Sequence, residues 1–354
     1  MLSDLSFHLA ERGWRVEVVT SRQRYDDPSA KLPPRETVRG VAVRRVWSTR
    51  FGRGFLPGRA VDYATFYASA FFALVGRATR DSTIIALTDP PLISVVAAMA
   101  AMLRRATLIN WTQDVFPEVA EALGMRALRV LRRVRDWSLR RAKVNVALGD
   151  SMAARLPHAV VIHNWADASL HPVDIPHARF VVGYSGNLGR AHDARTMLAA
   201  IRALRGDDGI EFVITGGGAQ LDAMRVEELP NVRFAGYAPR EQLSESLSSA
   251  DAHLVTLLPS LEGLIVPSKF YGVLAVARPV LFIGARDGEL ARIIQAHDCG
   301  FIIEPGDGEE LARRIRELAG DHNQARTIGL RGRRLYEERF APNIAFASWE
   351  RVLT

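Results

Sequence analysis

Short β runs alternate with helical stretches along most of this chain, and that alternation constrains the fold more than any other feature. β patterns fall at residues 14–20, 41–47, 83–87, 107–111, 143–148 and 159–162. They resume at 180–184, 211–215, 231–237, 252–257, 279–283 and 299–303, with helical patterns such as 61–77 between them. Strands joined through helices build parallel sheets covered on both faces. The predicted class is therefore α/β. At 354 residues the chain exceeds one ordinary core and fits two domains of about 150 residues each. These are 1–168 and 179–340, with a linker near 168–178 that holds two prolines and two histidines. Residues 341–354 read as an amphipathic helix returning to the first domain. Polar, Pro- or Gly-rich loops are predicted at 26–37 and 51–59.

The opening breaks the pattern. A helix ending at Gly13 comes first, where a doubly wound domain ordinarily starts with a strand and a Gly-rich turn. The first strand of that domain is expected to be missing, through truncation or a start codon assigned too late.

In a parallel sheet, functional loops sit at the carboxyl ends of strands. Asp89, Asp114 and Asn164 all lie there, each equally readable alone as a turn residue or cap. Together they point to a cleft. In the second half, Pro267-Ser268-Lys269 reads as a loop opening a short helix, with Ser268 as its cap and Lys269 in its first turn. Such an end suits a phosphate, although an ordinary capped surface helix has the same pattern. The composition adds weight. The chain holds 43 Arg and only 3 Lys, so a retained lysine points to a need for its compact ammonium. Gly186-Asn187-Leu188-Gly189-Arg190 follows a strand, where glycine admits a ligand close to the backbone and arginine can fork onto phosphate. Gly216 ends the next strand.

The single cysteine excludes a disulfide framework and a Cys-based zinc site, and fits a reducing compartment. No signal peptide or spanning stretch is read, and the longest uncharged apolar run is 90–103. Charge is uneven: residues 1–170 carry +10 and residues 171–354 carry −3. A basic half points to nucleic acid or an anionic membrane, and no nucleic-acid motif is present. Residues 125–143 hold eight Lys/Arg and one Asp among regularly spaced apolar residues. As one helix they would lay Arg129, Arg132, Arg133, Trp137 and Arg140 on a bilayer surface, or form a solvated helix whose apolar face is core.

Four motifs carry a resemblance: Gln113-Asp114-x-x-Pro117-Glu118, His163-Asn164-Trp165-x-Asp167, Gly186-Asn187-Leu188-Gly189-Arg190 and Pro267-Ser268-Lys269-x-Tyr271-Gly272. In this order the chain resembles the family-4 glycosyltransferases of the GT-B fold, closest to the bacterial surface-polysaccharide branch that includes N-acetylfucosaminyl-type transferases. The resemblance implies two facing Rossmann-like domains and transfer of a sugar from a nucleotide sugar to an acceptor hydroxyl. It also implies retention of configuration, no metal and no cofactor, with a lipid-linked saccharide as acceptor. Asp114, Asp89, Arg190 and Lys269 would be catalytic. Gly186, Asn187, Gly189, Gly216, Tyr237, Glu262, Pro267, Ser268 and Tyr271 would join Arg190 and Lys269 around the donor. A cytoplasmic enzyme peripheral to the inner membrane face is implied. A non-hydrolysing nucleotide-sugar epimerase or a non-catalytic partner in an assembly complex are the alternatives. The family's Glu-x7-Glu pair is absent, with Leu264 and Gly272 at its positions and Glu262 as a shifted candidate. Its phosphate-turn Arg and Lys align with Asn187 and His192, leaving Arg190 as the substitute.

Overall fold

A computed structural model describes residues 1–23, 32–52 and 56–354. Parts of the two predicted loops, 26–31 and 53–55, lie outside the described residues. The first half runs α1 (Leu2–Glu11), β1 (Glu17–Ser21), β2 (Arg35–Val38), β3 (Val41–Val46), α2 (Leu56–Val75), β4 (Thr83–Leu87), α3 (Ile93–Arg104), β5 (Thr107–Trp111), α4 (Glu118–Ala122), α5 (Arg132–Arg141), β6 (Val144–Ala147), α6 (Asp150–Ala153) and β7 (Ala159–Val161). The second runs β8 (Phe180–Asn187), α7 (Ala194–Ala203), β9 (Ile210–Gly217), α8 (Ala219–Met224), β10 (Val232–Ala235), α9 (Leu243–Ser248), β11 (Ala252–Thr256), α10 (Lys269–Ala275), β12 (Val280–Ile283), α11 (Glu289–His297), β13 (Gly300–Ile303), α12 (Gly308–Gly320), α13 (His322–Leu335) and α14 (Pro342–Leu353).

The second half forms a six-stranded sheet ordered β10-β9-β8-β11-β12-β13, parallel throughout. Its inner strand β11 is buried along its whole length, from Ala252 to Thr256, because helices cover both faces. The first half holds two sheets. One is the parallel set β4-β5-β6-β7; the other is β1-β3-β2, where β1 pairs parallel and β2 antiparallel with β3. Among the described residues, β1 and β4 each keep one edge without a strand neighbour. Residues 35–37, predicted as loop, form β2 with Val38: Val38 and Val41 are close enough in sequence for a hairpin through Arg39 and Gly40, both at positive φ.

One apolar core runs through both halves. It contains Leu5, Leu9, Ile109 and Trp111 from the first, Phe270, Tyr271 and Phe282 from the second, and Trp349 from α14. Trp111 and Trp349 are fully buried, with ring centroids 4.9 Å apart, and Trp165 stacks on Trp111 at 5.7 Å. α14 also meets α1, where His8 stacks on Phe346 at 4.5 Å and bonds Glu350 at 2.8 Å.

The basic stretch 125–143 is not one helix. A 3₁₀ turn over Arg126–Leu131 precedes α5, and the break redirects the side chains. Arg132 is forked onto Glu121 (2.6 and 2.9 Å), and Arg135 bonds Glu118 at 2.5 Å. Trp137 packs against the small core under α3. Arg129, Arg133 and Arg140 stay exposed.

Candidate active site

The strand-ending glycines build the floor. β8 continues past its predicted end through Asn187, and Gly186 and Gly216 are register partners at φ +124° and +128°. A Cβ at Gly186 would sit 2.7 Å from Cε of Lys269, so glycine here makes room for that lysine. Asp193 accepts from the backbone N–H groups of Arg195 and Thr196, which caps α7 and fixes the loop that carries His192.

Lys269 is the first residue of α10, a seven-residue helix. Ser268 does not cap it: the residue is itself αR and exposed, and its side chain makes no cap bond. Pro267 is buried beneath the loop. Lys269 Nζ donates to Tyr184 Oη at 2.6 Å, lies 4.5 Å above that ring, and is 3.3 Å from His192 Nε2 and 3.4 Å from the carbonyl of Asn187. His192 Nδ1 bonds the carbonyl of Thr256 at 2.7 Å, so the Nδ1–H tautomer leaves Nε2 as an acceptor towards the ammonium. Burial lowers Lys269 to about 7, and burial with the Lys269 charge lowers His192 to about 4. No carboxylate among the described residues pairs with Lys269. At position 192, where the family pattern expects a lysine, a neutral histidine thus stands beside the Lys269 ammonium that enters from α10. Arg190 is exposed at the rim of the same loop and Tyr237 is 67 % exposed near Gly217. Asn187 is exposed, and Gly189 is partly exposed beside its amide.

Two sequence-predicted donor residues are placed elsewhere. Tyr271 is 1 % exposed and packs on Phe340 at 5.1 Å, because the seven-residue helix turns that face into the core. Glu262 is committed to α11: Oε1 accepts the backbone N–H of Glu289 at 2.7 Å, satisfying the start of that helix. Residue 262 therefore does not supply the missing glutamate of the family pair.

The opposite wall comes from the first domain. Asp114 pairs with Ile265 in an isolated antiparallel bridge, and Val115 N–H bonds the carbonyl of Leu264 at 2.9 Å. The loop carrying Asp114 is thereby tied to the loop leading to Lys269. Asp114 keeps solvent access but sits in a crowded recess; that desolvation, and then the charge of Asp89, push its carboxyl up to about 6. Asp89 is exposed at the end of β4. Thr88 Oγ1 receives Gln113 N–H at 3.0 Å, and the Asn164 amide donates to Gln113 Oε1 at 3.2 Å. Three strand ends thus meet at one place. Sequence reasoning missed Tyr184 and Glu289, since a strand tyrosine reads as core and a helix-start glutamate as a surface residue.

The halves match separate models, the glycosyl transferase 4-like domain over residues 2–165 and glycosyl transferases group 1 over residues 179–321. The probable glycosyltransferase WbjE of Pseudomonas aeruginosa is 30 % identical over 69 % of this chain and 68 % of its own. The putative colanic acid biosynthesis glycosyl transferase WcaI of Escherichia coli K12 is 26 % identical over 52 % of this chain and 50 % of its own. Among solved structures, the sucrose-phosphate synthase of Thermosynechococcus elongatus aligns with TM-score 0.79 at 17 % identity, covering 99 % of this chain and 91 % of that one. HepE of Anabaena, in complex with UDP and glucose, aligns at TM-score 0.68 and 18 % identity over 89 % and 86 % of the two chains. The likenesses to solved structures show the GT-B fold of two Rossmann-like domains. With both halves matched by glycosyltransferase domains and a relative of that description spanning two thirds of each chain, this chain belongs to the group 1, family-4-like glycosyltransferases and is a transferase enzyme.

Proposed function

We propose that the enzyme moves a sugar from a nucleoside-diphosphate sugar to an acceptor hydroxyl, with retention, in the synthesis of a bacterial surface polysaccharide. The observation that carries this reading is the cation of Lys269, held in a recess of neutral acceptors with no carboxylate among the described residues to compensate it. A diphosphate supplies the missing negative charge. In the transfer the bond from the anomeric carbon to the diphosphate oxygen breaks, its electron pair leaving with the diphosphate, while the acceptor oxygen bonds that carbon. Lys269 and Arg190 stabilise the charge that develops on the leaving group. Asp114, raised to about 6 and therefore ionised at pH 7 and above, accepts the proton of the acceptor hydroxyl. Desolvation, and then the charge of Asp89, hold that carboxyl above its ordinary value. HepE holds UDP and glucose on the same fold, and WcaI is described as a putative colanic acid biosynthesis glycosyl transferase, which support the donor class and the pathway type. Retention follows the family resemblance.

The acceptor is a lipid-linked saccharide reached from an anionic membrane surface. No helix among the described residues is long and apolar enough to cross a membrane. Instead α3 and the 125–134 stretch expose Met99, Met102, Leu103, Val130 and Val134, with Leu103 at 61 % and Val130 at 74 %. Arg129, Arg133 and Arg140 flank them. Exposed apolar side chains with exposed arginines beside Val130 and Val134 in sequence suit the headgroup boundary.

A thermal-shift screen of UDP, GDP, dTDP and their sugars, with and without EDTA, tests the donor site. Ligand at a hundredfold excess over Kd adds about 2.7 kcal/mol, so a true donor raises the melting temperature. A shift that survives EDTA supports metal-independent binding; no shift with any nucleotide defeats the reading.

A further inference from the structure

Lys269 enters its recess from α10, yet nothing on α10 holds its ammonium. The contacts come from two other elements, β8 and the loop before α7. We propose that Tyr184 and His192 are positioning residues for Lys269, the phenol and the neutral imidazole together fixing its ammonium over Gly186 where the donor diphosphate lies. This rests on Lys269 being the diphosphate-facing cation.

Tyr184 is 1 % exposed. Its hydroxyl donates to the carbonyl of Asn187 at 3.1 Å, which turns an oxygen lone pair towards Nζ at 2.6 Å. The ring face adds a second attraction at 4.5 Å. His192 is oriented in turn by Thr256, and the side-chain amide of Gln220 bonds its carbonyl at 2.9 Å. An ammonium has three N–H donors. Two point at Tyr184 and His192, and the third meets only the longer contact to Asn187, at 3.4 Å, leaving it for a phosphate oxygen. The groups facing Lys269 are Tyr184 and Asn187 from β8 and His192 from the loop. All are uncharged, and the nearby Asp193 is spent on capping α7. Such a shell orients the ammonium without supplying a countercharge. A tyrosine serving only the strand core would have no such effect on the lysine.

The chain has only three lysines, Lys31, Lys143 and Lys269, so ε-labelled lysine gives three side-chain NMR titrations in the full-length protein, and loss of one signal in Lys269→Ala assigns Lys269. Tyr184→Phe keeps the ring and removes the hydroxyl. It should lower the Lys269 midpoint by about one pH unit, the weight of one hydrogen bond to a charged group. His192→Asn should move it the same way. With pyrophosphate as a base-free probe, Tyr184→Phe should bind roughly tenfold more weakly at pH 8 and nearly normally at pH 6, where protonation is restored. An unchanged Lys269 midpoint in Tyr184→Phe overturns the positioning role. Pyrophosphate affinity unchanged in Lys269→Ala overturns the diphosphate reading instead, while the lysine titration still decides whether Tyr184 holds the ammonium.

Discussion

The carboxylate of Glu289, at the start of α11 in the second domain, accepts the backbone N–H groups of Asp150 at 3.1 Å and Ser151 at 2.8 Å in the first. It caps a helix of the other domain, and Glu262 caps its own. Gly149 belongs to the same contact, since a Cβ there would collide with Glu289 at 2.7 Å. Glu289→Ala should lower stability by about 1–2 kcal/mol, read as an earlier urea midpoint. An unchanged midpoint would mean that the clamp carries no load between the domains.

Donor binding should take up protons. Lys269 has a folded-state value of about 7, below its ordinary 10.5, so the unfolded chain binds more protons between those limits. The vacant fold therefore gains stability as pH rises from about 7 towards 10.5. An anion in the recess reverses the shift. At pH 8, calorimetry in buffers of different ionisation enthalpy should show uptake approaching one proton per site, fading by pH 6. Uptake that does not change with pH would remove Lys269 from the diphosphate.

Asp114→Asn should trade activity for stability. The folded carboxyl titrates near 6, above its ordinary 3.8, so the stabilising protonated form is complete below about 3.8 and lost as pH rises through 6. Asparagine removes that loss. The variant should melt higher than the parent at pH 7.5 and alike near pH 3.5, while turnover drops roughly a hundredfold or more. Full activity would exclude Asp114 as the proton acceptor.

The arginines that face solvent should separate from those held by Glu118 and Glu121. Arg129, Arg133 and Arg140 changed together to serine should weaken sedimentation with anionic vesicles about a hundredfold, at roughly 1 kcal/mol each. Arg132→Ser should instead loosen its contact with Glu121 and leave vesicle binding near normal. Equal vesicle binding by parent and triple variant would make this face ordinary surface.

The α/β class, most strand positions and the four motifs were legible in the sequence because each is local. The period of apolar residues sets strand and helix, and glycine and proline mark the ends. Asp114, Asn164, Gly186 and Lys269 could be picked out on that basis. The partners were not legible. Ser268 looked like a cap, yet its own αR backbone removes it from that role. Glu262 looked available for a donor, yet the start of α11 claims it. Tyr271 stands two residues after Lys269, and the short helix turns one into the core and the other into the recess. The basic stretch fixed its charge in sequence, but the 3₁₀ break decided which arginines meet Glu118 and Glu121 and which meet solvent. Sequence determined which chemical groups this protein carries and where its chain turns. Only the tertiary structure decided that Tyr184, His192 and Lys269 share one recess, because desolvation and hydrogen bonding depend on neighbours more than sixty residues apart in sequence.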